Sequence, residues 1–151
     1  MEENDQNQNQ NASGKVLKDK NAISCGLEAG LYNLAINWVL LIIPALFIQV
    51  VLDVRHGSPT YVLMLGAFQI MMAFLTPYIS IRNVGRTVNL VESPAKAAII
   101  SALTTIIIVF IIEVVIGTGT LVPFGSVFGF ILFVLIYLFS SYIFRNRFLN
   151  K

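Results

Sequence analysis

Charged residues are scarce in this 151-residue chain, where Asp, Glu, Lys and Arg together make up 12% of the sequence, against about 25% in an average soluble domain. There is one cysteine, Cys25, and one histidine, His56. A single cysteine excludes an intramolecular disulfide and a metal centre with several thiolate ligands. The sequence also contains no phosphate-binding loop motif and no Ser/His/Asp set. We therefore expect no cofactor, no metal site and no catalytic residues, and an ordinary soluble enzyme is excluded.

Hydrophobic residues are abundant, at 56% of the chain with a mean hydropathy of +0.77. They form four long runs, in which Glu113 is the only charged residue; the runs are 31–52, 60–81, 97–116 and 121–144. A bilayer core needs about 20 helical residues to cross it, and lipid leaves no partner for exposed backbone groups. The sequence therefore predicts an all-α membrane protein with four transmembrane helices in an antiparallel bundle.

The first twenty residues have a different composition from the rest of the chain. Residues 1–14 are polar and rich in Asn and Gln, and Lys15, Lys18 and Lys20 follow them. We expect residues 1–20 to form a disordered tail whose lysines lie near anionic headgroups, and residues 21–151 to form the transmembrane domain. The chain begins without the basic start and apolar run of a signal peptide, so the first membrane helix is expected to be retained.

The loop at 82–96 is the longest between the predicted spans. Val84, Val88 and Val91 recur there at helical spacing, which predicts a short helix lying in the membrane interface. The pair Ser93-Pro94 is typical of a helix start, with serine as the cap and proline at the first helical position.

Positive charge is distributed unevenly between the two sides of the predicted bundle. With the N-terminus in the cytoplasm, the outer loops hold one Lys or Arg, Arg55, and the inner segments hold nine: Lys15, Lys18, Lys20, Arg82, Arg86, Lys96, Arg145, Arg147 and Lys151. Basic residues near membrane helices favour the cytoplasmic side. Both termini are therefore predicted to be cytoplasmic, in a multi-pass protein of the plasma membrane. The basic residues are thinly spread without interleaved aromatics, which favours anionic lipid over nucleic acid as their partner.

Glu113 is the one ionisable residue within a predicted span, and such residues are functional hypotheses by default. It lies three residues from the outer end of its helix, which favours an interfacial carboxylate, solvated or paired with Arg55 or His56. A proton- or cation-coupled role and hydrogen bonding between subunits remain as alternatives. Asp53, Arg55, His56 and Glu113 together form a candidate outer polar patch. Two carboxylates and an imidazole are possible ligands for a divalent cation, but ordinary loop polarity explains the set more simply.

Small and polar residues recur at helical spacing along one face of each span. Such faces favour close packing between helices in lipid, and amide side chains form hydrogen bonds across the contact. Packing within the bundle is the favoured interpretation; a substrate path and contacts with partner helices are the alternatives. The predicted helix-packing residues are Asn33, Asn37, Gly66, Gln69, Gly125 and Gly129.

Three hypotheses for the function remain at this point. The first is a non-catalytic accessory or structural subunit, or an assembly factor, of a larger membrane complex, whose partners are the lipid bilayer and other membrane subunits or further copies of itself. The second is a small oligomeric transporter or channel that uses Glu113 and the polar helix faces. The third and weakest is a membrane-embedded enzyme, for which Asp53, His56 and Glu113 are the available acid–base groups.

Overall fold

The computed structural model of the chain describes residues 17–55, 58–116 and 127–149, of which 86% are helical. Helix α1 spans Ala22–Leu46 and continues as a π-helical turn over Phe47–Val51. Helices α2 and α3 span Pro59–Thr87 and Pro94–Ile116, and α4 spans Val127–Ile143 before a 3-10 turn at Phe144–Phe148. Two three-residue strands, β1 (Lys18–Lys20) and β2 (Val88–Leu90), complete the described part. All four helices are long and apolar enough to cross a membrane.

Residues that favour helix starts precede the first three helices. The Asn21 side chain accepts a hydrogen bond of 2.9 Å from the Ser24 amide at the start of α1. The Ser58 hydroxyl accepts one of 3.2 Å from the Tyr61 amide, and Pro59 occupies the first turn of α2. Helix α3 begins at Pro94. These caps satisfy amide groups that have no partner within the helix.

Two observed helix boundaries lie well outside the predicted apolar runs. Helix α1 begins at Ala22 rather than at residue 31, and α2 ends at Thr87 rather than at residue 81. Hydropathy finds the part of a helix that lies in hydrocarbon, whereas capping and packing decide where the helix ends. The start predicted for the fourth span, residue 121, lies outside the described residues.

The predicted interfacial helix in the 82–96 loop is wrong. Helix α2 continues through the first part of this loop, and β2 follows at Val88–Leu90. Strand β2 pairs in parallel with β1, so that Lys18 faces Val88 and Lys20 faces Leu90. Val88 and Leu90 are buried and Asn89 between them is exposed, which is the alternation of a strand with one covered face. Residues 18–20, which the sequence assigned to a disordered tail, form β1, and residues 1–16 lie outside the described part.

Helices α1 and α3 run side by side in the same direction and approach closely at two glycines of α1. A Cβ atom at Gly26 would lie 2.7 Å from the Ala97 carbonyl oxygen, and one at Gly30 would lie 2.7 Å from the Thr104 Cβ. Contacts this close require glycine. The two glycines lie one turn apart, so they form a small-residue face against α3, as in other packed membrane helices.

Elements from both ends of the described chain meet in one buried apolar cluster. We call it the terminal cluster, and it contains Ala22, Cys25, Ala29, Ile81, Val84, Val88, Leu90, Ala97, Ala98 and Phe148. A second cluster lies among α2, α3 and α4, around Val109, Phe133 and Tyr137. A third joins Ile48 to Tyr61 and Leu65. The described part of the bundle thus contains three separate buried clusters.

The outer surface of the helices is largely apolar. Large side chains such as Val39, Val50, Leu63 and Val115 are between 62% and 76% exposed. An exterior of this kind would be an aggregation liability in water, but it suits the hydrocarbon core of a bilayer. Together with the four helices, it defines the chain as a small integral membrane protein.

Candidate functional site

Polar side chains buried between α1 and α3 form hydrogen bonds across the helix contact. The Asn33 amide nitrogen donates to the Thr105 hydroxyl across 3.2 Å, and both residues are fully buried. The Thr105 hydroxyl in turn lies 3.2 Å from the Gly30 carbonyl oxygen and 3.1 Å from that of Ser101. The single hydroxyl proton of Thr105 is therefore shared between an acceptor on its own helix and one on α1.

A similar set of contacts joins α2 to α4. The Thr76 hydroxyl donates to the Met72 carbonyl oxygen at 2.8 Å, so the Tyr137 hydroxyl, 3.3 Å away, is the donor between the two side chains. The Ser140 hydroxyl lies 3.2 Å from the Ala73 carbonyl oxygen of α2. We name the residues of both sets the polar seam: Asn33, Thr76, Ser101, Thr105, Tyr137 and Ser140. Its hydrogen bonds connect α1 to α3 and α2 to α4.

Three buried polar atoms near or within the seam have no hydrogen-bond partner among the described residues. They are the Asn33 Oδ1, the Ser101 Oγ and the Ser141 Oγ. A buried polar atom without a partner costs about 1–3 kcal/mol. The hydrogen-bonding capacity of the seam is therefore not fully used by the described residues.

The predicted helix-packing residues lie inside the bundle wherever the structure describes them. Asn33, Asn37, Gly66, Gln69 and Gly129 are all buried. Gly125, the sixth of them, lies outside the described residues. Tyr137 was not among the predicted residues, although its spacing to Ser140 places both on one face of α4.

The candidate outer polar patch is described only in part. Asp53 and Arg55 are exposed in the connection between the π-helical turn and α2, and Asp53 has a positive φ of 51°. Glu113 belongs to the last turn of α3, which ends at Ile116. The Glu113 side chain and His56 lie outside the described part, so the patch as a whole stays a prediction. Within the described ranges, no three His, Cys, Asp or Glu residues lie together in a way that could hold a metal ion.

The opposite end of the bundle is basic. Seven basic residues lie on elements that contribute to the terminal cluster, or on β1, which pairs with β2. They are Lys18, Lys20, Arg82, Arg86, Lys96, Arg145 and Arg147. Lys20 forms an ion pair with Glu28, and this hydrogen bond raises the pKa of Lys20 above its ordinary value. Lys96 pairs with Glu92 at 3.0 Å and lowers the pKa of that carboxyl group by its hydrogen bond. Asp19 accepts a hydrogen bond of 2.8 Å from Asn89.

Three arginines at this basic end lie against tyrosine rings. The guanidinium carbons of Arg82 and Arg147 are 5.8 Å and 5.7 Å from the centre of the Tyr78 ring. Arg145 is 4.1 Å from the centre of the Tyr142 ring. These are cation–π distances, and tyrosines are common where a membrane helix leaves the hydrocarbon. The spacings of Tyr78 to Arg82 and of Tyr142 to Arg145 place each pair on one helix face, a signal already present in the sequence.

No protein-family model, no curated protein and no solved structure matches this chain. Its class, a small integral membrane protein of four helices, therefore rests on its own residues. Two features of the structure bear on function: the polar seam within the bundle and the basic end.

Proposed function

We propose that the chain is a non-catalytic accessory or structural subunit, or an assembly factor, of a larger membrane complex. One observation carries this proposal: the most apolar part of the α1 span is covered less by the described part of the chain than the corresponding parts of the other helices are. In its most apolar 18-residue window 11% of the residues are buried, against 33%, 39% and 28% for α2, α3 and α4. Val39, Ile43 and Val50 of α1 are 62%, 60% and 75% exposed. A helix segment with so few buried residues has an exposed apolar face that suits helices of another subunit.

The bonding of the polar seam also supports a packing role. Thr105 and Asn33 bond to each other, Thr105 and Ser140 reach backbone carbonyl oxygens of the facing helix, and Tyr137 bonds to Thr76. These groups are thus used to join the helices of the bundle. A coupled transporter places ionisable groups along its ion path, whereas the seam consists of amides and hydroxyls.

The proposal includes an orientation. Consecutive helices are antiparallel, both termini face the cytoplasm, and the membrane is the plasma membrane. Support comes from the basic end, where elements near the two chain ends and the 87–94 connection share the terminal cluster. Of the Lys and Arg residues that the structure describes, seven lie at this end and Arg55 lies at the other. Such an asymmetry favours the cytoplasm for the basic side.

Mild-detergent extraction followed by native gel separation tests the proposed role. We expect the wild-type chain to migrate with other membrane polypeptides in a fixed ratio. Ile43→Trp should release them, because it adds bulk to the exposed face of α1. Ile107→Trp is the matched control, since Ile107 is 54% exposed on α3, and it should leave the assembly intact.

Two outcomes would contradict the subunit role. One is a lone monomer in extracts that retain other membrane complexes. The other is an assembly of this chain alone that carries solute flux in vesicles and loses it on Glu113→Gln. That second result would establish the small transporter as the function instead.

A further inference from the structure

Arg86 lies in a small open pocket where the last turn of α2 meets α1. The pocket is lined by Tyr32 of α1 and by Asn83, Arg86 and Thr87 of α2. The three α2 residues are spaced three and four apart, so they occupy one face of the helix. We call these four residues the Arg86 pocket. It lies at the basic end, where the helices leave the apolar part of the bundle.

The charge of Arg86 has no counterpart within the described part of the chain. The acidic groups of this end already have partners: Glu28 pairs with Lys20, Glu92 with Lys96, and Asp19 accepts from Asn89. The three arginines described above lie against tyrosine rings, whereas Arg86 makes neither kind of contact. An arginine in a pocket without a carboxylate is suited to an external anion.

The donors of the Arg86 pocket suit a phosphate group. A guanidinium group binds phosphate through two parallel N–H groups, and the Asn83 amide and the Tyr32 hydroxyl add further donors. The Thr87 hydroxyl donates to the Val84 carbonyl oxygen at 3.0 Å, so its proton is already used. The pocket thus offers one cation and two neutral donors.

An apolar stripe leads away from the pocket along α1. Ala35, Val39 and Ile42 follow Tyr32 at spacings of three, seven and ten, which places them on the same helix face. Val39 and Ile42 are 62% and 54% exposed. A free phosphate ion gains nothing from contact with such a stripe, whereas the acyl chains of a lipid can pack against it.

We propose that the Arg86 pocket binds the headgroup phosphate of an anionic glycerophospholipid, whose acyl chains lie along Ala35, Val39 and Ile42. The site holds one lipid of the leaflet that faces the basic end. It does not depend on the subunit role proposed above, because a transporter or an enzyme with this surface would bind the lipid equally well.

Native mass spectrometry of the full chain in detergent, titrated with phosphatidylglycerol, tests the site. Arg86→Gln should weaken the binding of the first lipid by about tenfold, the loss expected for one charged hydrogen bond. Arg82→Gln is the matched control: it removes the same charge one turn earlier, from an arginine that lies against Tyr78. It should change the affinity for the first lipid much less. Tyr32→Phe, which keeps the ring and loses the hydroxyl, should show a smaller loss than Arg86→Gln.

Three results would overturn the proposal. Equal losses of lipid affinity in Arg86→Gln and Arg82→Gln would mean that the lipid is attracted by the overall positive charge of the basic end and not by the Arg86 pocket. Equal affinity for phosphatidylcholine and phosphatidylglycerol in the wild type would mean that the site does not select anionic lipid. Complete displacement of the lipid by excess inorganic phosphate would make free phosphate the ligand. Circular dichroism of each variant establishes that the helical content is retained.

Discussion

The amide nitrogen of Asn33 and the hydroxyl of Thr105 lie 3.2 Å apart although the two residues are 72 positions apart in the chain. Both side chains are fully buried, so this hydrogen bond joins α1 to α3 without competition from water. Hydrogen bonds of this kind between membrane helices contribute on average about 0.6 kcal/mol and at most about 1.7 kcal/mol. The contact is therefore a measurable part of the stability of the bundle.

Thr105→Val should destabilise the bundle by about 1 kcal/mol, because it keeps the side-chain shape and leaves the Asn33 amide without its partner. The free energy of unfolding in mixed detergent micelles measures the effect. Thr104→Val is the control, since among the described residues the Thr104 hydroxyl bonds to the Ile100 carbonyl oxygen of its own helix alone. Equal effects of the two substitutions would show that the interhelical bond adds nothing.

Gly30→Ala should cost about 1–3 kcal/mol, the usual penalty of overpacking. The added methyl group would lie 2.7 Å from the Thr104 Cβ and 2.9 Å from the Ser101 carbonyl oxygen, and α1 would have to move away from α3. Ala35→Val adds bulk to the exposed side of the same helix and should be close to neutral. The same unfolding measurement compares the two, and a neutral Gly30→Ala would mean that the helices are not in close contact there.

The Thr76–Tyr137 contact predicts an energetic coupling between α2 and α4. In a double-mutant cycle of Thr76→Val and Tyr137→Phe, the coupling energy should be about 0.6 kcal/mol and favourable. Thr105→Val combined with Tyr137→Phe is the control, because these two residues share no hydrogen bond within the described part, and their effects should add. A coupling energy of zero in the first cycle would mean that the hydrogen bond between Thr76 and Tyr137 does not stabilise the bundle.

The Lys20–Glu28 pair predicts that the pKa of Lys20 depends on the Glu28 carboxylate. The hydrogen bond that Lys20 donates to Glu28 raises the pKa of Lys20, so Glu28→Gln should return that pKa toward its ordinary value, as measured by NMR of labelled lysine. Glu92→Gln, which removes the partner of Lys96 instead, should leave Lys20 unchanged. If Glu28→Gln also leaves the pKa of Lys20 unchanged, the pair does not form in solution.

This ion pair lies beside the β1–β2 contact and gives that contact a defined pH dependence. A lysine with a raised pKa contributes stability that is fully present below its ordinary pKa and is lost as the pH rises through the raised value. The Val91 amide, which donates to the Lys20 carbonyl oxygen at 3.2 Å, reports on the contact. Its protection from hydrogen exchange at neutral pH should decrease in Glu28→Gln and stay unchanged in Glu92→Gln.

The number of membrane helices could be predicted from the sequence because lipid imposes length and hydropathy on each span. The helix ends could not be predicted in the same way. Helix α1 extends back to Ala22 since the Asn21 side chain caps it, and α2 continues past Arg82 because Val84 and Gly85 are buried at the terminal cluster. Strand β2 could not be predicted because its partner, β1, lies about 70 residues away in the sequence.

The polar faces of the helices follow from helical spacing, which is why Asn33, Asn37 and Gln69 could be predicted as packing residues from the sequence. Their partners do not follow from spacing, because the choice of facing helix is a property of the folded bundle. Tyr137 bonds to Thr76 and Asn33 bonds to Thr105, pairs that periodicity within a single helix cannot identify. The pocket at Arg86 was missed for the same reason, since Tyr32 belongs to another helix.

Labelling of single cysteines with a membrane-impermeant maleimide tests the central claim most directly. Cys25 is fully buried and should stay unlabelled, so the wild-type chain provides the background. Three exposed residues flank the membrane helices and can be replaced by cysteine. They are Arg55 between α1 and α2, Ser93 before α3, and Asn146 after α4. We expect Arg55→Cys to react in intact cells, and Ser93→Cys and Asn146→Cys to react only after the membrane is opened. Labelling of Arg55→Cys and Ser93→Cys from the same side would contradict a membrane crossing by α2 and with it the whole account.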